Sequence, residues 1–342
     1  MVNKVQKQKP SRRSSQKTEG KGLRLEFPDN KKLIELCGHH EENLILLEEG
    51  LEVQIVVRGN QVAIFGPDEN MLRAKDILEE LYRMLEAGLS VPASQIEVIL
   101  RAGDDVTTET TGGPAVNKQV IHTPLKKVAP RTKRQRKYVE ALRQSALVFG
   151  VGPAGTGKTY LATALAVEML HAKQVKRIIL TRPVVEAGEN LGFLPGTFEE
   201  KIDPYLRPFF DAMHELVGPE RTAEMMEKKI IEVAPLAYMR GRTISNAFML
   251  LDEAQNTTVT QMKMFLTRMG EGSRMVVTGD PSQIDLKPTI PSGLKDSLDV
   301  LSSVEGVDVC RFNEVDVVRH DLVSKIVGAY DARDKKREAS KV

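Results

Sequence analysis

The sequence Gly152-Pro153-Ala154-Gly155-Thr156-Gly157-Lys158-Thr159 lies between an apolar run at 146–149 and an apolar-periodic stretch at 160–170. A strand, a glycine-rich loop and a helix form the context in which the pattern G-x-x-x-x-G-K-[ST] binds phosphate. The three glycines let backbone N–H groups converge on one anion, and the helix N-terminus adds partial positive charge. Lys158 is placed to reach the β- and γ-phosphates of a nucleotide, and the Thr159 hydroxyl to ligate Mg²⁺.

Acidic and amide side chains follow two later apolar runs. Asp252 and Glu253 come directly after the run 248–251, and Gln283 follows Thr278-Gly279-Asp280. An acid at a strand end downstream of a phosphate loop supplies the second Mg²⁺ contact, which we assign to Asp252. Glu253 is then placed to deprotonate the attacking water, and Gln283 to hydrogen-bond the γ-phosphate. This combination indicates nucleotide hydrolysis and favours water over a metabolite as the phosphoryl acceptor.

Residues 131–331 alternate strand and helix patterns, which predicts a mainly parallel sheet with helices on both faces, the RecA-like α/β fold of P-loop NTPases. The predicted strands cover residues 146–149, 177–181, 230–234, 247–251, 274–278 and 307–311. Sites in such sheets lie at the carboxyl ends of the strands, where the residues above fall. Prolines 195, 204 and 208 predict fixed turns in the stretch after the second strand.

Four further segments flank this domain. We predict a disordered basic tail at 1–21, a small α+β domain at 22–88, a connector at 89–130 with a hairpin near 116–123, and a charged tail at 332–342. The order of elements in 22–88 resembles a KH nucleic-acid-binding module. The KH loop is G-x-x-G, whereas Gly38-His39-His40-Glu41 lacks the second glycine. The domain is therefore expected either to bind RNA or to act as a KH-like scaffold.

Other side chains are candidates for contacts with the nucleotide. Gln135 lies in a basic run and can pair with the edge of adenine, and Tyr138 can stack on a base. Guanidinium groups match phosphate geometry, so Arg182, Arg207, Arg240 and Arg242 are candidates for phosphate contact, and we expect several of them to be plain surface arginines. Arg319, in a predicted helix from 316 to 330, is a candidate arginine finger, and Arg182, Arg240 and Arg242 are the alternatives. We interpret His320 as a helix-start residue.

Composition narrows the class of protein. The chain has 342 residues, is 41% hydrophobic and 28% charged, and contains no run of eighteen apolar residues. Its basic N-terminus has no apolar segment of the secretory type, so we expect a cytoplasmic protein without membrane contact. Cys37 and Cys310 are far apart in the sequence, and we expect both to be buried small apolar residues rather than a disulfide or a zinc site.

Taken together, these motifs closely resemble those of the bacterial PhoH family of ATPases. The resemblance rests on residues 152–159, 181–183, 188–196, 240–243, 252–258, 278–283 and 318–320, together with the KH-like segment. It implies ATP and Mg²⁺ as ligands, a link to RNA, assembly into a hexamer, and a metal-dependent endoribonuclease of ribosomal RNA maturation as a partner. The order of motifs is also similar to the first half of a superfamily-one helicase.

The helicase resemblance leaves part of the site unaccounted for, because such helicases hold ATP between two domains. Only about sixty residues follow Gln283, too few for a second domain. We therefore expect a homo-oligomeric ring in which a neighbouring copy supplies the arginine finger. The leading function is an ATPase that remodels or unwinds RNA. The alternatives are a nucleotide-gated scaffold for a ribonuclease or ribosomal particle without unwinding activity, and a small-molecule phosphotransferase.

Overall fold

The computed structural model describes residues 22–101, 119–183 and 198–317, together with Ile326 and Arg333. The tail 1–21, the motif 188–196, and Arg319 and His320 lie outside the described residues. The chain divides into two compact units, Met1–Tyr82 and Arg83–Val342. No helix of the described residues is long and apolar enough to cross a membrane.

The first unit contains a three-stranded antiparallel sheet and helices. Its elements are β1 (Leu23–Glu26), α1 (Asn30–Cys37), α2 (Glu42–Leu51), β2 (Gln54–Arg58), β3 (Gln61–Phe65) and the start of α3 (Asp68–Glu86), with strand order β1-β3-β2. Asp29 caps α1, because its carboxylate accepts the Lys31 N–H at 2.9 Å. Leu78 and Leu81 of α3 are buried, whereas Leu72 is 54% exposed.

The segment predicted as a connector contains regular structure. Helix α4 (Ala93–Arg101) buries Ile96 and Ile99, whose spacing of three residues puts both on one face. A short antiparallel pair follows, β4 (Ile121–His122) with β5 (Lys127–Val128). The hairpin therefore lies several residues later than the predicted 116–123.

Six parallel strands form the main sheet of the second unit, as the sequence predicted. They are β6 (Leu147–Val151), β7 (Arg177–Arg182), β8 (Ile231–Pro235), β9 (Ala247–Leu251), β10 (Arg274–Gly279) and β11 (Val307–Arg311), in the order β11-β6-β10-β9-β7-β8. Every pairing is parallel. Strand β6 lies second from one edge, and β10 and β9 follow it toward the middle of the sheet, so their carboxyl ends meet beside the phosphate loop.

Helices cover both faces of this sheet. They are α5 (Lys133–Gln144), α6 (Lys158–His171), α7 (Phe198–Val217), α8 (Pro219–Glu227), α9 (Val259–Leu266) and α10 (Gly293–Leu301). Alternate residues of β6 face opposite sides, Val148 in the cluster beneath α5, α6 and α7 and Phe149 in the cluster beneath α9 and α10. The predicted α/β fold with helices on both faces is confirmed.

Helix α7 differs from the sequence prediction, because it runs through Pro204 and Pro208, where we expected turns. Its C-terminal half buries Phe209, Met213 and Leu216, each at most 1% exposed. These positions are four and three residues apart and face the sheet together. Their burial stabilises the helix despite the backbone hydrogen bonds that proline cannot donate.

Candidate functional site

The phosphate loop, residues 152–157, joins the end of β6 to the first residue of α6. Gly152, Gly155 and Gly157 have φ of 143°, 80° and 79°, in the left-handed region that favours glycine. A Cβ at Gly152 would also lie 2.5 Å from the carbonyl oxygen of Phe312. The loop conformation therefore depends on glycine for two separate reasons, backbone angle and space.

Lys158 points its ammonium group into this loop. Its Nζ donates to the carbonyl oxygens of Gly152 and Pro153, both at 2.7 Å, and the residue is 8% exposed. A buried ammonium is stable only where acceptors surround it. The same position lets it donate to a phosphate held by the loop.

Thr159 and Asp252 meet across the strand ends. The Thr159 hydroxyl donates to Asp252 Oδ1 at 2.7 Å, and the Thr278 hydroxyl, at the end of β10, donates to the same oxygen at 2.6 Å. Hydroxyl and carboxylate oxygens are the ligands that Mg²⁺ takes in phosphate sites. The described residues contain no cluster of three or more His, Cys, Asp or Glu side chains fit for a metal. One carboxylate and one hydroxyl fit Mg²⁺, which keeps waters and substrate phosphates as its other ligands.

Glu253 follows Asp252 in a left-handed backbone conformation, with φ of 52°. Its side chain remains 36% exposed. Its Oε1 lies 3.2 Å from Nη2 of Arg182, at the end of β7, and its Oε2 accepts from the Gln255 amide. We expected Arg182 to contact a phosphate. In the structure it forms an ion pair with Glu253, the predicted general base.

Gln283 lies in the loop after β10. Its side-chain Nε2 donates to Asp280 Oδ2 at 2.5 Å, and its backbone N–H donates to the Asp280 carbonyl at 3.1 Å. Asp280 is buried and also accepts from the Ser282 backbone N–H and hydroxyl. The γ-phosphate contact of Gln283 stays a prediction, and Asp280 is what fixes the turn that presents it.

Gln135 lies directly against the phosphate loop. Its Nε2 donates to the Thr156 carbonyl at 3.0 Å, and its Oε1 accepts from the Arg131 N–H at 2.6 Å. The expected contact with adenine is not tested by these bonds. Beside the residue is a pocket of about 390 Å³, on which Gln135, Arg131, Gly155, Gly157 and Tyr160 border.

The expectation for Tyr138 is wrong. Tyr138 is fully buried, and its ring packs edge-on against Phe312, with centroids 5.3 Å apart. Burial raises the pKa of its phenol well above the usual value. The ring faces inward because Gln135 and Tyr138, three residues apart, lie on the same buried face of α5.

Arg242, which was also a candidate for phosphate contact, forms an ion pair within the sheet region instead. Its guanidinium forms a two-pronged ion pair with Glu232 of β8, and this partner raises the pKa of Arg242. Arg207 and Arg240 are exposed.

Sequence reasoning missed Thr278 and Gln255 as members of the site. Thr278 stands at the end of a predicted strand, and that position was the signal that could have identified it.

Comparisons with known proteins identify the family of this chain. The model of the family described as "PhoH-like protein" matches residues 127–331. A PhoH-like protein of Mycobacterium bovis is 48% identical over 302 residues, covering 87% of this chain and 84% of its own length. A PhoH-like protein of Bacillus subtilis is 44% identical over 311 residues, covering 91% and 97%. The Sulfolobus solfataricus SWI2/SNF2 ATPase core in complex with dsDNA aligns at 11% identity with a TM-score of 0.34, over 59% of this chain and 48% of that chain. By its family match and by relatives that span most of its length, the chain belongs to the PhoH family.

Proposed function

We propose that the protein hydrolyses ATP at residues 152–159, with Glu253 as the general base, and that this hydrolysis is linked to RNA. Membership of the PhoH family and the phosphate-loop fold support a nucleotide-binding domain of the ATPase type. The observation that carries the proposal is the 2.7 Å hydrogen bond from Thr159 Oγ1 to Asp252 Oδ1. It joins the loop that would hold the phosphates to the strand end that carries the base.

In the proposed reaction, the oxygen of a water molecule attacks the γ-phosphorus of ATP. The bond between that phosphorus and the bridging oxygen of ADP breaks, and Glu253 takes the proton that the water loses. Lys158 and the N–H groups of the loop hold the phosphates in line. Mg²⁺, held by Thr159 and Asp252, would neutralise negative charge on the phosphate oxygens when bound.

The pocket beside the loop is where we place the purine base. Two glycines of the phosphate loop border on it, so a nucleotide whose phosphates lie in the loop has its base within reach. Gln135 holds the loop at Thr156. Its amide nitrogen carries two hydrogens, so it can hold Thr156 and also bond an acceptor on the base. The specificity for adenine is part of the proposal.

The link to RNA is supported by the first unit and by α5. The strand-helix-helix-strand-strand-helix order is that expected of a KH-like module. Lys133 and Lys137 of α5 are exposed on the side opposite its buried face, and exposed lysines attract the phosphates of nucleic acids. The missing second glycine of the KH loop keeps the scaffold role open for this unit.

A phosphate-release assay on the full chain, with and without single-stranded RNA, tests the proposal. We expect Mg²⁺-dependent turnover of ATP that RNA raises severalfold, with the stimulation lost at high salt because lysine–phosphate contacts are screened. If RNA changes neither turnover nor its own binding to the protein, the link to RNA is wrong. Strand displacement separates remodelling from the alternative, a scaffold that binds a ribonuclease or ribosomal particle under nucleotide control.

The oligomeric state is a separate part of the proposal. Of the predicted arginines, Arg182 pairs with Glu253 and Arg242 with Glu232. Arg240 is exposed and stays an alternative. We propose Arg319 as the arginine finger, contributed by a neighbouring copy in a ring, with a hexamer as the family resemblance implies. A finger must approach the γ-phosphate from outside the phosphate loop's own subunit or domain.

A further inference from the structure

A chain of hydrogen bonds runs from the end of β9 to the loop after β10. Gln255 lies in the short 3₁₀ turn Ala254–Asn256 and is 1% exposed. Its Nε2 donates to Glu253 Oε2, and its Oε1 accepts from the backbone N–H of Asp280 at 3.0 Å. Both ends of one buried amide are therefore used, each toward a different strand end.

The second half of this series of hydrogen bonds passes through Asp280. Its carboxylate accepts from Ser282 through Oδ1 and from the Gln283 amide through Oδ2. An amide nitrogen carries two hydrogens, so Gln283 can keep Asp280 and also donate to a γ-phosphate oxygen. The order Glu253, Gln255, Asp280, Gln283 is continuous.

Gly279 and Ser292 lie against Gln255. A Cβ at Gly279 would come within 2.7 Å of Gln255 Oε1, so glycine lets the amide rest against the end of β10. The Ser292 hydroxyl donates to the Gln255 carbonyl at 2.8 Å and fixes the backbone. A glutamine that only satisfied a buried turn would need the Asp280 contact alone. The bond to the half-exposed carboxylate of Glu253 points instead into the site.

We propose that Gln255 is a positioning residue that couples the base Glu253 to the γ-phosphate contact at Gln283. The inference rests on the proposed function, in which Glu253 takes the proton from water. Gln255 holds one oxygen of the carboxylate, which fixes the plane of the carboxylate toward the γ-phosphate. Asp280 transmits the position of Gln283 to the same amide, so the carboxylate is set when the γ-phosphate is in place.

The test uses Gln255→Glu and Gln255→Leu in the full chain, with kcat and KM for ATP measured from pH 5 to pH 9. Glutamate keeps an acceptor for the Asp280 N–H but faces Glu253 with a second carboxylate. The two then share a proton, and the acid limb of the kcat profile moves up by about one pH unit or more. At pH values above that limb, kcat of both variants stays below that of the parent, because neither an ionised glutamate nor a leucine can donate a hydrogen bond to Glu253, and KM stays within about threefold for both.

Gln261→Leu is the matched control. Gln261 also uses its amide, but in a capping box with Thr258 at the start of α9, on the exposed side. Its loss lowers the unfolding temperature without moving the acid limb. An unshifted limb in Gln255→Glu, with kcat and ATP affinity reduced in parallel, overturns the inference because that pattern is one of structural loss alone.

A double-mutant cycle with Gln283→Ala provides a measurement that does not depend on Gln255→Glu folding. Coupling predicts that Gln283→Ala lowers kcat at least about threefold less in the Gln255→Leu background than in the parent. Additive effects contradict coupling. The variant Glu253→Gln separates failure of the base assignment from failure of the coupling. Wild-type turnover in that variant overturns the assignment of Glu253 as the base. An inactive Glu253→Gln variant, together with additive effects at Gln255 and Gln283, overturns only the coupling.

Discussion

At the scale of single residues, Lys158 shows how the loop prepares a charge for its ligand. Two carbonyl oxygens hold the ammonium at 2.7 Å within the loop. The lysine therefore does not need to be recruited from solvent when a phosphate arrives. Such preorganised charge costs little reorganisation at the moment of reaction.

Lys158→Ala tests that role directly. We expect phosphate release to fall by at least about 100-fold and nucleotide affinity to fall as well, because one charge contact to the phosphates is removed. Lys228→Ala is the control, since Lys228 is exposed and pairs with Glu224 one helical turn away. Comparable losses in the two variants would remove Lys158 from the site.

Gly152 offers a test of the loop conformation that is independent of chemistry. Gly152→Ala adds a Cβ at φ of 143° and within 2.5 Å of the Phe312 carbonyl. Strain and overpacking together cost about 2–5 kcal/mol, so the unfolding temperature and nucleotide binding should both fall.

Gly306→Ala provides the comparison for Gly152→Ala. Gly306 has φ of 85° but open space around its Cβ position, so only the backbone cost of about 1–2 kcal/mol applies. Thermal unfolding of both variants measures the difference. A smaller effect at Gly152 than at Gly306 would contradict the contact with Phe312.

At the scale of elements, strand adjacency assembles the site. Strand β10 pairs with β6 on one side and with β9 on the other, so Thr278 lies between the phosphate loop and Asp252. The Thr278 hydroxyl donates to the carboxylate oxygen that also accepts from Thr159. The strand therefore orients a side chain that we place on Mg²⁺.

Thr278→Val removes this hydroxyl and keeps the shape of the side chain. Asp252 then loses one of its two hydroxyl partners, and we expect the Mg²⁺ concentration for half-maximal turnover to rise about three- to tenfold. Thr267→Val is the control, because Thr267 is exposed and its hydroxyl bonds carbonyls of its own helix and the side chain of the next residue, Arg268. An unchanged Mg²⁺ requirement in Thr278→Val would contradict this orienting role.

The sequence was sufficient to predict the six strands of the main sheet and the residues at their ends, because apolar runs and glycine punctuation mark them. Strand order is not encoded in that pattern, so the contact of Thr278 with Asp252 needed the structure. Helix α4 was missed because glycines and prolines nearby outweighed the spacing of Ile96 and Ile99. Tyr138 was wrongly predicted to contact a base because the basic residues around it suggested an exposed surface, whereas α5 has a buried face that includes Tyr138.

At the scale of the whole molecule, the proposed ring makes one active site from two copies. Lys158→Ala and Arg319→Ala should each be inactive as pure proteins. In a random equal mixture, about a quarter of the interfaces join an intact loop to an intact Arg319, so about a quarter of the activity returns. Mixed oligomers that form without regaining activity would contradict a finger supplied in trans, and so would full activity in a monomer.

The central claim is that Glu253 takes the proton from the water that attacks ATP. The most direct measurement compares Glu253→Gln with the parent in a single-turnover assay with labelled ATP, followed by separation of bound ATP from ADP. The account predicts that the variant binds ATP with an affinity within about threefold of the parent and hydrolyses it at least about 100-fold more slowly. Bound nucleotide recovered as ADP at the parental rate would contradict it.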